Sequence, residues 1–82
     1  MKIFECDLYT FGTDIRNIRE EMRMTQNEFS KIVGVNAASL AHYESGYYLP
    51  RLDVMVDICR KLGFDEIRIN TSKGGRYLNG QR

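Results

Sequence analysis

At 82 residues the chain has room for one domain, and its 43% hydrophobic content suffices for a single modest core. A domain of this size buries only about 60% of the surface its unfolded chain exposes, so pairing with a second copy would add stability. Twelve basic residues against 11 acidic ones leave a net charge of +1, which excludes a generally adhesive polycation; nucleic-acid binding would need positive charge gathered on one face and a specific site.

Three parts follow along the chain: a lead over 1–12, dense helical sequence over 13–63, and a β-like and then Gly-rich segment over 64–82. The lead is rich in apolar residues, among them Phe4, Tyr9 and Phe11. Glu5 and Asp7 stand where a secretion signal needs an unbroken apolar run, and no later stretch is long enough to span a membrane, so a cytoplasmic protein is expected. A first helix is expected to open at Thr13 as N-cap, with Asp14 beside its positive end. Ile15, Ile18 and Met22 follow at helical spacing, and the helix is expected to stop near Arg23.

The second helix has the sharpest local signal. Thr25, Gln26, Asn27 and Glu28 fit a capping box, with Met24 and Phe29 placed as a hydrophobic staple across it. Phe29, Ile32 and Val33 form its apolar face, and Gly34 ends it in the left-handed conformation that glycine adopts without a Cβ clash. Asn36 caps a third helix running to about Ser45, with Val35 and Leu40 in staple positions and Gly46 as terminator. The two helices are thus joined by Gly34, Val35 and Asn36 alone, the tight connection that a helix-turn-helix demands.

Beyond a loop from Tyr47 to Pro50, a fourth helix carries Leu52, Met55, Val56, Cys59 and Leu62 on one face. Arg60 and Lys61 complement its negative end, and Gly63 closes it. Ile67, Arg68, Ile69 and Asn70 alternate as a half-buried strand does, and Ile3 and Phe4 offer it a pairing partner. Residues 72–82 are expected either as a short hairpin around Lys73, Gly74 and Gly75 or as a mobile tail.

Catalytic and metal chemistry find little material. Two cysteines, Cys6 and Cys59, and a single histidine make neither a disulfide framework nor a zinc spacing, so no metal or cofactor is expected. His42 has no nucleophile and orienting carboxylate to work with, and Gly74 and Gly75 lack the strand–loop–helix setting and the Lys-Ser/Thr of a phosphate loop. An enzyme is therefore not expected.

Several pieces together resemble the lambda-repressor-like helix-turn-helix family of phage repressors, Cro and XRE proteins. They are Ile18-Arg19, Met24 to Phe29, Gly34-Val35-Asn36, Leu40 to Gly46, Pro50-Arg51-Leu52 and Leu62-Gly63. The resemblance implies a mainly α bundle of four or five helices, here with short strands from the termini. It also implies a dimer on a double-stranded DNA operator, with the second motif helix in the major groove. The leading turn of that helix would then meet base edges through Asn36, Ala37, Ala38 and Ser39, with His42 one turn later and Gln26 alongside. The alanine methyls suit thymine methyls, while Ser39 and His42 suit base acceptors. The family's usual arginine or glutamine is missing from this edge, which shifts weight to DNA shape and bridging water.

Phosphate contacts are expected from Thr25, Tyr47, Tyr48 and Arg51, with Arg16 and Lys31 as weaker candidates. In the family, an arginine placed as Arg19 pairs with a glutamate placed as Glu44, a structural ion pair. Some antitoxins of this family follow the fourth helix with a strand that pairs across a dimer; Ile67 and Ile69 resemble that arrangement. The resemblance thus leaves two readings: a dimeric repressor on a palindromic operator, or an antitoxin whose main partner is a toxin protein and which also binds its own promoter.

Overall fold

A computed structural model of the chain describes residues 1–71. It comprises β1 (Ile3–Asp7), a 3-10 turn (Leu8–Thr10), α1 (Phe11–Glu21), α2 (Gln26–Val33), α3 (Ala37–Ser45), α4 (Leu52–Lys61) and β2 (Glu66–Asn70). The fold is mainly α, with one short sheet, as expected. The alternative expectations for residues 72–82 lie outside the described residues.

One core serves every element. Phe4 and Cys6 from β1, Phe11 and Ile15 from α1, Phe29 and Val33 from α2, Leu40 from α3, and Met55, Ile58 and Cys59 from α4 are all buried. α1 packs on α3, and α2 packs on both α3 and α4. The fourth helix corrects the expected apolar face: Leu52 is exposed, whereas Ile58, absent from that face, is fully buried.

The first helix departs from expectation at its start. Thr13 is not its N-cap; the cap position falls three residues earlier, to Thr10, which makes no side-chain cap bond. Phe11 and Gly12 are drawn into the helix because both are buried there. At the other end the helix stops at Glu21, near Arg23 as expected, and Arg23 turns the chain with φ 58°. The next two helix starts agree with expectation. Thr25 Oγ1 accepts from the Glu28 N–H at 3.1 Å while Glu28 Oε1 accepts from the Thr25 N–H at 2.9 Å. Asn36 Oδ1 accepts from the Ser39 N–H at 2.8 Å.

β1 and β2 pair in parallel, with Phe4 opposite Ile67 and Cys6 opposite Ile69. A parallel pair needs a long crossover, and here the helical bundle supplies it. Alternation along both strands sends Phe4, Cys6, Ile67 and Ile69 to the core side. Ile67 and Ile69 therefore cover this chain's own core.

Candidate nucleic-acid interface

The turn between α2 and α3 sets the geometry of the candidate interface. Gly34, at φ 78°, donates its N–H to the Ser30 carbonyl at 2.9 Å, which ends α2 in one step. Val35 packs on the core, and Asn36 opens the next helix at once. Leu40 is fully buried and Tyr43 packs against the core, so the opposite side of α3 is turned outward.

Of the expected base-contact residues on this helix, Ala38 and His42 lie opposite Leu40. Asn36 and Ala38 are exposed, while Ala37, Ser39 and His42 are half-buried. Asn36 spends its carbonyl oxygen on the cap, which leaves its two amide hydrogens for an acceptor. In the same way the Thr25 oxygen accepts within the capping box and its hydroxyl hydrogen stays available to a phosphate.

A buried ion pair braces α3 from behind. Arg19 donates to Glu44 through Nε at 2.8 Å and through its second terminal nitrogen at 3.0 Å, a bidentate contact. The Glu44 side chain is 3% exposed and that of Arg19 14%. A third guanidinium nitrogen donates to the Met24 carbonyl at 2.9 Å. Glu44 also accepts from the Gln26 amide at 3.0 Å. Sequence reasoning anticipated the pair but missed Gln26 as its third member. The available signal was the position of Gln26 at the first turn of α2, one residue past the cap. Gln26 keeps its carbonyl oxygen and one amide hydrogen for a base edge or phosphate.

Around the C-terminal end of α3 the rings gather. Tyr47 and Tyr48 stack on the imidazole of His42, with centroids 4.7 Å and 5.2 Å away. Tyr48 meets Tyr43 edge-on at 5.6 Å, and burial raises the Tyr43 hydroxyl above its ordinary pKa. Tyr47 and Tyr48 remain exposed. Arg51 holds Asp53 with two bonds of 3.2 Å and 3.0 Å. That pair is solvent-exposed, so a phosphate can displace it at small cost. Arg16 pairs with Glu20 along α1 at 3.1 Å, and Lys31 is exposed on α2.

Among the described residues no group of His, Cys, Asp and Glu is arranged to hold a metal ion, and no helix is long and apolar enough to cross a membrane. What remains is an outward helix edge with small side chains and unspent donors, flanked by helix N-termini suited to phosphates.

Comparison with known proteins gives two similarities. A family model described as Helix-turn-helix matches residues 15–67. The chain is also 33% identical over 58 residues to antitoxin PezA of Streptococcus pneumoniae serotype 4 (strain ATCC BAA-334 / TIGR4). That alignment covers 71% of this chain and 37% of the relative, so the chain spans little more than a third of that protein's length. No solved structure matches the chain.

Proposed function

Since the chain belongs to the helix-turn-helix family, which it matches over residues 15–67, we propose that it is a sequence-specific regulator of transcription. It binds a double-stranded DNA operator by laying α3 in the major groove. The observation that carries this reading is the outward leading turn of α3. Asn36 caps it, Leu40 anchors it, and the Arg19–Glu44–Gln26 network holds it in place. Ala37, Ala38, Ser39 and His42 read bases, with Asn36 and Gln26 at the margin. Thr25, Tyr47, Tyr48 and Arg51 flank them on the phosphate side, with Arg16 as an outlying contact.

The operator is palindromic and the protein binds it as a dimer, which sets two copies of α3 one helical turn of DNA apart, about 34–36 Å. The dimer forms through the backbone edge of β2 that faces away from β1, with Ile67 and Ile69 holding that strand to its own core. Repression follows from occupation of the operator.

Selection of duplexes from a random pool, followed by titration of the selected site against scrambled DNA, tests the reading. Ser39→Ala and His42→Ala are expected to reduce discrimination between the two DNAs more than they reduce stability. Equal losses on both DNAs would remove these residues from the base-reading set.

A second reading rests on the similarity to antitoxin PezA: the chain neutralises a toxin protein and represses its own promoter. Its test is to express the product of the neighbouring open reading frame alone. Toxicity relieved by co-expression of this chain supports the antitoxin role; a harmless neighbour removes it.

A further inference from the structure

The end of α3 closes in a complete Schellman motif. Gly46, in the left-handed region at φ 79°, donates to the Tyr43 carbonyl at 3.2 Å, and Tyr47 donates to the His42 carbonyl at 3.0 Å. Ser45 Oγ adds a bond to the same His42 carbonyl at 3.1 Å and accepts from the Tyr47 N–H at 3.3 Å. This motif characteristically brings the side chain two residues past the helix end over the side chain one turn back. Here those two side chains are Tyr47 and His42, and their rings lie 4.7 Å apart at an interplanar angle of 33°. Tyr48 closes on the imidazole from a second direction at 5.2 Å. Tyr48 is itself set by the edge of the partly buried Tyr43.

From this arrangement we infer that the C-terminal cap of α3 is a positioning device for base reading, in which the rings of Tyr47 and Tyr48 hold the His42 imidazole in its reading orientation. The inference rests on the DNA-reading role of α3 proposed above. It adds to the phosphate role of the Tyr47 hydroxyl a role for its ring. A free histidine on an exposed helix edge samples several rotamers, and ordering one of them on binding lowers affinity. Rings packed on the imidazole before DNA arrives remove that cost for the orientation they select. The tyrosines thereby contribute to specificity at one base pair without touching it.

The experiment has two arms. In the free protein, the ring-proton resonances of His42 are followed by NMR in the parent chain, Tyr47→Phe and Tyr47→Ala. Tyr47→Phe is expected to leave them near their parent positions, and Tyr47→Ala to move them as the ring current is lost. In the DNA arm, the duplex selected by the parent protein is substituted at each base pair in turn. Tyr47→Phe is expected to keep the parent pattern. Tyr47→Ala is expected to lose on the order of tenfold discrimination at the same base pair as His42→Ala, as removal of one reading contact does. The double variant His42→Ala/Tyr47→Ala should lose no more than His42→Ala alone, because both act through one side chain. Unmoved His42 resonances in Tyr47→Ala, additive losses, or a base-pair pattern altered by Tyr47→Phe would each overturn the inference. If the parent protein selects no duplex at all, the DNA-reading proposal fails, and the inference fails with it whatever the NMR arm reads. Circular dichroism melting of each variant separates these effects from loss of folding.

Discussion

Gly12 lies inside α1, where glycine is about 1 kcal/mol worse than alanine for an exposed helix. The reason is its neighbour. A Cβ at Gly12 would lie 2.8 Å from the Tyr43 carbonyl carbon and within the van der Waals sphere of its oxygen. Because the obstacle is backbone rather than a pliable side-chain tip, α1 and α3 must separate to admit it. Gly12→Ala is therefore expected to destabilise the fold by about 1–3 kcal/mol, the usual range for overpacking. Urea unfolding measures it, and a neutral or stabilising result would refute the close approach. Glu44 stands at the other extreme, a buried carboxylate accepting from Arg19 twice and from Gln26 once. Glu44→Ala strands the Arg19 guanidinium and is expected to cost about 3–5 kcal/mol in the same assay. A loss below about 1 kcal/mol would mean that solvent reaches the pair. The two thiols give a pH dependence. Burial pushes Cys6 up to about 12 and Cys59 up to about 11, from an ordinary value of 9.0. Above pH 9 the unfolded chain releases these protons while the folded chain keeps them, so stability falls as pH rises from about 9 to about 11. Denaturant midpoints at pH 8 and pH 10 are expected to show the decline, and Cys6→Ala/Cys59→Ala to lessen it. An identical decline in that variant would assign it to other groups.

Element ends were the most legible feature of this chain. Capping depends on residues within three or four positions of one another, so sequence spacing alone specifies the bonds. Thr25 with Glu28 and Asn36 with Ser39 formed as their spacing required. Thr25→Ala is expected to cost about 1 kcal/mol, read as a shift in the urea midpoint, while Gln26 stays placed by Glu44. A cost near zero would mean that tertiary contacts alone hold the start of α2. The start of α1 was misread for the complementary reason. Thr13 has the chemistry of a cap, but burial of Phe11 and Gly12 draws the helix back past it, and no local rule registers that pull. Ile58 was legible at helical spacing with Met55, Cys59 and Leu62, and the expected face, drawn through Leu52 and Val56 instead, left it out.

At the scale of the whole molecule, charge and topology decide. All 11 acidic residues lie within residues 1–71, whereas Lys73, Arg76 and Arg82 lie beyond them, so the described part carries a net charge of −2 and the remainder +3. A polyanionic duplex is bound more strongly when each added cation releases counterions. A chain ending at Thr71 is therefore expected to show a salt dependence of DNA affinity shallower by up to about 2.7 in log–log slope, from three phosphates at about 0.9 each. Fluorescence anisotropy between about 50 and 200 mM salt measures it. An unaltered slope would assign the phosphate contacts to the folded body alone. Topology makes the two ends of the described chain interdependent. β1 and β2 cover the core only as a pair, and a two-stranded sheet is marginal without something beneath it.

Local chemistry by itself determined the helix-turn-helix: two capped helices, a glycine turn in the left-handed region, and small residues on the leading edge of the second helix. These follow from hydrogen bonds and conformational preferences that act over a few residues. Only the tertiary structure decided that Gln26 joins Arg19 and Glu44, that Tyr47 and Tyr48 close on His42, and that the strand carrying Ile67 and Ile69 pairs with β1 of its own chain. Each of those contacts depends on how elements meet in space, and the energy that selects the meeting is burial of a shared core, which no single segment contains.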